Sequence, residues 1–262
     1  TVCVCFQNRF IAAFREAMHL IEEDGGAIGA LTTGSADGCE NNGPVLVENF
    51  NYLGYKANDE ATACTGQFRV GGIAAYVYNT TTIPTVTNSS NLEKGTITAK
   101  NVTCDNINGN VAWTVSGGIS YSNGTIKNCH NYADIEAYIA DGNVCKGWNS
   151  NAYGNRTIQI AGIIGYQAQT NTTYEISNCS NEGNIVATCD LPSILRCGGI
   201  ASYNKLPMDG VTNKGDIPIY RGQGDTYLGG IVGYQQNNSQ TNLTNEGNIT
   251  LASRTLDNGE EV

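Results

Sequence analysis

The stretch Glu175–Ala187, EISNCSNEGNIVA, decides the fold once the rest of the chain is laid against it. Its kernel, N-x-G-x-[IV], returns as VTNKGDI at 211–217 and LTNEGNI at 243–249. Looser copies are CENNGPV from Cys39, CDNINGNV from Cys104 with one extra residue, and CHNYADI from Cys129 with Ala for Gly. A second element alternates with it: VGGIAAY from Val70, SGGISYS from Ser116, IAGIIGY from Ile160, CGGIASY from Cys197 and LGGIVGY from Leu228, with DGGAIGAL from Asp24 as a looser copy. The last glycines of these elements, Gly26, Gly72, Gly118, Gly162, Gly199 and Gly230, lie between 31 and 46 residues apart. Fixed elements separated by variable insertions are the mark of a solenoid, in which each unit is one coil and surplus residues leave as loops.

The pieces GGIVGY and GNITLAS are short, β-branched or aromatic, and bounded by Gly and Asn, which predicts strands. A sandwich has no need of one corner sequence six times, whereas a parallel β-helix turns the same corner in every coil. The expected fold is therefore all-β, a parallel β-helix of about six coils over residues 24–262. Residues 1–23 are set apart from it. From Asn8 to Glu22, Phe10, Phe14, Ala17, Met18 and Ile21 recur at helical spacing, which predicts an amphipathic helix capping the open strand edge. Before it, TVCVCF is β-prone and reads either as a first strand or as a strand that adds to a neighbouring molecule.

The pattern SGGISYSNGTIKNCHNYADIEA, Ser116–Ala137, resembles the GLUG-type repeats of bacterial surface proteins and adhesins. The likeness runs over roughly residues 24–252. It implies a right-handed β-helix on a cell surface or in an extracellular structure.

Composition agrees with this class and excludes others. The 262 residues contain 32 Gly, only 5 Pro and only 15% charged residues, a balance that suits short strands and turns better than helices. A net charge of −10 with thinly scattered Lys and Arg leaves no basic stripe for a phosphate backbone, so no nucleic-acid partner is expected. No apolar run is long enough to predict membrane insertion. The chain starts without Met or a signal peptide, as expected of a processed or excised chain. Ten cysteines without paired zinc knuckles point to an exported protein, extracellular or on the cell surface. Ten sequons, at Asn79, Asn88, Asn101, Asn123, Asn155, Asn171, Asn178, Asn237, Asn242 and Asn248, mark glycosylation candidates. They are about twice what the Asn, Ser and Thr content predicts.

Stacking assigns roles by column. Asn41, Asn131, Asn181, Asn213 and Asn245, with Asn106, should form an asparagine ladder. Gly43, Gly109, Gly183, Gly215 and Gly247 should supply a positive φ at the bend. Cys39, Cys104, Cys129 and Cys179 share a column with Val211 and Leu243 and read as core residues, with disulfides between coils as the alternative. Cys189 and Cys197, flanking a Pro-containing excursion, are the disulfide candidates. Tyr76, Tyr166, Tyr203 and Tyr234 form a candidate aromatic stripe, open to sugars or to another subunit, or else packed under a loop.

Catalytic patterns are sought without success. Asp134 and Asp216 share a column with Asn110, Asn184 and Asn248, which reads as a polar ladder and not as an acid pair. Cys129 and His130 are adjacent and point to opposite faces of a strand. GQGD at 222–225 is half of a calcium repeat in a single copy. No cofactor, metal or enzymatic activity is nominated. The expected function is a glycosylated structural subunit of a surface filament or adhesin stalk, self-associating head to tail or meeting other surface proteins and glycans. The alternative is a carbohydrate-binding or polysaccharide-cleaving β-helix. The polar RTLDNGEEV after NITLAS offers no cap, which suggests a piece of a longer solenoid or a subunit that stacks end to end.

Overall fold

A computed structural model describes residues 22–25, 27–48, 51–53, 66–100, 103–105, 111–139, 156–189, 194–221, 224–236 and 238–253. The described residues are all-β, and every strand pairing among them is parallel. The expected N-terminal helix and the strand TVCVCF lie outside the described residues, apart from Glu22, which opens a strand.

The chain visits four sheets in a fixed order, leaving one strand in each before returning to the first. Sheet 1 holds Glu22–Gly25, Gly66–Gly71, Val111–Ser116, Arg156–Ala161, Ile194–Gly198 and Thr226–Gly229, in chain order across the sheet. Sheet 2 holds Ile28–Leu31, Ala74–Val77, Ile119–Ser122, Ile164–Gln167, Ala201–Asn204 and Val232–Gln235. Sheet 3 takes short strands such as Ile176–Ser177 and Ser180–Asn181, which fuse in the later coils into Met208–Asn213 and Gln240–Asn245. Sheet 4 holds Val45–Glu48, Ile97–Lys100, Ile135–Ile139, Ile185–Cys189, Ile217–Arg221 and Ile249–Ala252. Six circuits, here coils 1 to 6, are thus laid one on another, an arrangement consistent with a parallel β-helix. A further small sheet pairs Asn51–Leu53 of coil 1 with Thr103–Asp105 of coil 2.

Period-2 alternation explains the burial. In Ile185–Cys189 the residues Ile185, Ala187 and Cys189 are buried while Val186 and Thr188 are partly exposed. The core divides into two clusters. One lies between sheets 1 and 4, with Val70, Trp113, Ile160 and Leu195 against Ile97, Ile135, Ile185 and Ile217. The other lies between sheets 2 and 3, with Ile73, Ile119, Ile164 and Ile200 against Val86, Ile126, Ile176 and Met208. Between them the two repeated sequence elements meet. A Cβ built on Gly72, Gly117, Gly162, Gly199 or Gly230 would overlap the side-chain carboxamide of Asn91, Asn131, Asn181, Asn213 or Asn245 respectively. The G-G element and the N-x-G element recur together because one glycine lies flat against one asparagine in each coil.

This register corrects the frame of SGGISYS. Ser116 pairs with Gly71 and Ala161, so Gly117, not Gly118, is the equivalent of Gly72 and Gly162. The shift brings Tyr121 level with Tyr76 and Tyr166.

Candidate functional site

The chemistry-bearing side chains lie in columns running along the stack, with successive rungs about 4.8 Å apart. The asparagine ladder is Asn41, Asn91, Asn131, Asn181, Asn213 and Asn245. Each Nδ2 donates to the Oδ1 of the next rung at 2.7–2.8 Å, from Asn41 through to Asn245. The same Nδ2 closes the local turn by donating to a backbone carbonyl, Gly95 for Asn91, Ala133 for Asn131, Gly183 for Asn181 and Gly215 for Asn213. Asn91, Asn131, Asn181 and Asn213 are wholly buried, a polar seam with every carboxamide hydrogen-bonded.

Asn91 replaces the expected rung Asn106. Coil 2 turns through SSNLEKGTI, which is two residues longer than the kernel, and Ser89 takes the cysteine's place, its Oγ accepting from Cys39 N. Cys104 instead lies on the small sheet, level with Tyr52, and Asn106 and Gly109 fall outside the described residues.

The role expected of the N-x-G glycines is also corrected. Gly43, Gly183, Gly215 and Gly247 do not have positive φ. Glycine is needed at Gly183, Gly215 and Gly247 because a Cβ there would overlap the carbonyl of Ala133, Gly183 and Gly215 in the coil beneath. The left-handed position is the residue preceding the cysteine column: Gly38, Asn88, Asn128, Asn178, Gly210 and Asn242, with φ between 49° and 64°. Asn is tolerated there because its short polar side chain bonds locally. Asn88 Nδ2 donates to Asp37 Oδ1, Asn128 Nδ2 to Asn88 Oδ1, and Asn242 Nδ2 to Asp209 Oδ1. Those bonds hold the Asp37 and Asp209 carboxyls below the usual range, together with the Thr87 and Thr241 hydroxyls, whose bonds contribute most.

The five cysteines whose side chains are described pack as core. Cys39, Cys129 and Cys179 are buried, and the Cys129 and Cys179 thiols point at the Val86 and Ile126 carbonyls. The hydrogen bond with the neighbouring Cys129 thiol, and after it burial, push the Cys179 thiol up. The expected Cys189–Cys197 disulfide does not form. Cys197 is a wholly buried thiol in sheet 1, level with Ile160 and Leu228, and burial raises its pKa. Cys189 lies in sheet 4, where its sulfur accepts from Arg221 Nη1 at 3.2 Å. The Pro-containing excursion joins two sheets and the two residues occupy different columns. Cys3, Cys5, Cys64 and Cys145 fall outside the described residues.

The tyrosine stripe has five members. Tyr76, Tyr121, Tyr166, Tyr203 and Tyr234 stack with centroids 4.7–5.5 Å apart and planes within 4–26°. Arg69 lies 4.5 and 4.6 Å from the centroids of Tyr76 and Tyr121, and Arg196 lies 4.9 Å from those of Tyr203 and Tyr234. Each interior ring spends both faces on its neighbours, so a sugar has no open face to stack on between Tyr76 and Tyr234. Burial, reinforced by the neighbouring tyrosines, pushes the Tyr121 phenol up to about 12. Burial also raises Tyr166 and Tyr203, against the opposing charges of Arg196 and Lys205.

Asp134 and Asp216 serve as rungs. Asp134 Oδ1 accepts from Asn184 N, Asn184 Oδ1 from Asp216 N, and Asp216 Oδ1 from Asn248 N at 2.7–3.0 Å. His130 Nδ1 meets Ser180 Oγ at 2.8 Å, on the opposite side of the strand from buried Cys129. A further polar column was missed: Ser122, Gln167 and Asn204 are wholly buried at the exit of sheet 2, where Asn204 Oδ1 accepts from Leu206 N and its Nδ2 donates to Gln235. No repeated dipeptide marks it, since three residue types fill it.

A scan against protein-family models finds no match, and neither the curated proteins nor the solved structures contain a matching chain.

The sequons separate by environment. Asn123 is 5% exposed and its Nδ2 donates to Asn79 O. Asn79, Asn88, Asn242 and Asn248 each donate from Nδ2, to Thr32 O and to the carboxylates of Asp37, Asp209 and Asp216. Asn171 and Asn178 are exposed. Asn101, Asn155 and Asn237 lie outside the described residues.

Coil 6 presents the face that coils 2 to 5 cover in one another. Leu243, Ile249 and Leu251 are 37%, 43% and 55% exposed, while Val211, Ile217 and Ile219, their partners in coil 5, are wholly buried. Asn245 is likewise an exposed rung whose counterpart Asn213 is buried.

Proposed function

We propose that this chain is a load-bearing segment of an extracellular rod: a right-handed β-helix of about six coils in a surface filament or adhesin stalk. The resemblance to GLUG-type repeats supports the same reading. The observation that carries it is the face of coil 6. Leu243, Ile249 and Leu251 stand in register with wholly buried residues of coil 5, and Asn245 with a buried rung. A surface so built is complementary to one thing above all, a further coil of the same cross-section. Covering it returns apolar side chains to a dry column and extends the carboxamide ladder by one hydrogen bond. The occupant is a further coil, supplied by a second copy of this chain stacked head to tail or by a continuation of the same solenoid.

Such a rod resists axial load through continuous ladders in four sheets. Sedimentation velocity over a range of concentrations tests the reading, comparing the native chain with the L243E/L251E double variant. The native chain is expected to associate and the variant to stay single. A native chain that stays single and degrades polysaccharide would replace the rod with the carbohydrate-cleaving alternative.

A further inference from the structure

We propose that Asn171 is an N-glycan attachment site, and that folding withholds Asn79, Asn88, Asn123, Asn242 and Asn248 from the same modification. The inference rests on the extracellular reading above and concerns a residue remote from the stacking face of coil 6.

Asn171 lies in the 168–175 connection between sheets 2 and 3 of coil 4, fully on the surface. Its Oδ1 accepts from Thr173 N at 3.1 Å and from Thr173 Oγ1 at 3.0 Å. The turn is closed by Tyr174 N donating to Asn171 O at 3.2 Å. The carboxamide oxygen is therefore held back against the chain while Nδ2, which donates to no group among the described residues, belongs to an exposed side chain. The hydroxyl that a sequon requires two residues on is the group that polarises this carboxamide.

The reaction this geometry serves is glycosyl transfer from a lipid-pyrophosphate-linked oligosaccharide by a transferase. Nδ2 attacks the anomeric carbon and gives up one proton to a base of the transferase. A carbon–nitrogen bond forms, the bond from that carbon to the pyrophosphate oxygen breaks, and the lipid pyrophosphate leaves with the electron pair. No oxidant or reductant is needed.

The other described sequons lack one part or another of this arrangement. Asn88, Asn242 and Asn248 each have Nδ2 bonded to a carboxylate of the coil beneath, at 2.7, 2.8 and 3.0 Å. Asn123 is buried and its Nδ2 is bonded to Asn79 O at 2.7 Å, so a glycan there has no path to solvent. Asn79 Nδ2 is bonded to Thr32 O across the coils. Asn178 is exposed, but the Ser180 hydroxyl of its sequon is committed to His130 Nδ1 at 2.8 Å and does not reach the Asn178 carboxamide.

The test is site-resolved mass spectrometry of the full chain secreted from a glycosylating eukaryotic host. Each former glycan is marked by release with a peptide-N-glycosidase in oxygen-18 water, which hydrolyses the side-chain amide and converts the carrier Asn to labelled Asp. The folded, protease-resistant fraction is expected to carry the label at Asn171 and to lack it at Asn79, Asn88, Asn123, Asn242 and Asn248. Asn171→Gln and Thr173→Ala should each remove one glycan from the intact mass, and Thr173→Ser should restore it, with secretion unchanged. An unlabelled Asn171, or a labelled Asn123 in the folded fraction, overturns the proposal. Failure of the rod reading would show in sedimentation alone and would leave this map unaltered.

Discussion

At Asn181 three hydrogen bonds converge on one wholly buried side chain: Oδ1 accepts from Asn131, and Nδ2 donates to Gly183 O and to Asn213 Oδ1. Truncation leaves a carbonyl and a carboxamide oxygen buried without their donor, a cost of about 3 kcal/mol for Asn181→Ala. Asn245→Ala removes an exposed rung at the open face and should cost under about 1 kcal/mol. Urea titration of the two variants checks the contrast; equal losses would mean that the seam does not stabilise through its buried bonds. Five of the six rungs were legible in the sequence because N-x-G keeps its spacing. Asn91 was not, because LEKG lengthens its turn and a serine replaces the cysteine that signals the column. The glycine two residues on was legible as essential but for the wrong physical reason. A sequence shows that a Cβ is unwelcome without showing whether the backbone angle or the coil beneath forbids it.

The cysteine column and the tyrosine stack show how element-level context sets chemistry. Cys179 shares its column with Val211 and Leu243, so a small branched hydrocarbon fits the same space. Cys179→Val is expected to change stability by less than about 1.5 kcal/mol by urea titration. A much larger loss would assign the thiol a role beyond packing. The tyrosine stack makes the fold sensitive to alkali. The Tyr121 phenol titrates near 10 when the chain is unfolded and near 12 when folded, so between these values the unfolded state holds fewer protons and stability falls as pH rises. Tyr166 and Tyr203 shift the same way. Thermal unfolding should thus be flat in its tyrosine contribution below pH 10 and weaken from about 10 to 12, with Tyr121→Phe blunting the slope. Stability that rises over that window would contradict the burial of the stack. Four members of the stack were visible in the sequence. Tyr121 was hidden by the double glycine of SGGISYS, which permits two alignments that only the pairing of Ser116 with Gly71 resolves.

Over the whole molecule, the repeated corners gave away the parallel stacking, since each marks a bend that every coil must make. Cross-section was not legible. It depends on Gly117 and its equivalents meeting the asparagine seam, a contact between elements 14 to 19 residues apart in sequence, which splits the core in two. Ion pairs between coils, Lys100–Glu136, Lys127–Glu175 and Lys214–Glu182, lie on the surface and contribute little beside the buried ladders. What the ladders provide is continuity, and continuity across molecules is the central claim. Electron cryo-microscopy of the purified chain at rising concentration tests it most directly. The account predicts rods whose lengths are multiples of one chain, with the 4.8 Å strand spacing unbroken at the junctions, and single particles for L243E/L251E. Native chains that remain single particles at every concentration, or that join through the sides of the coils, would contradict it.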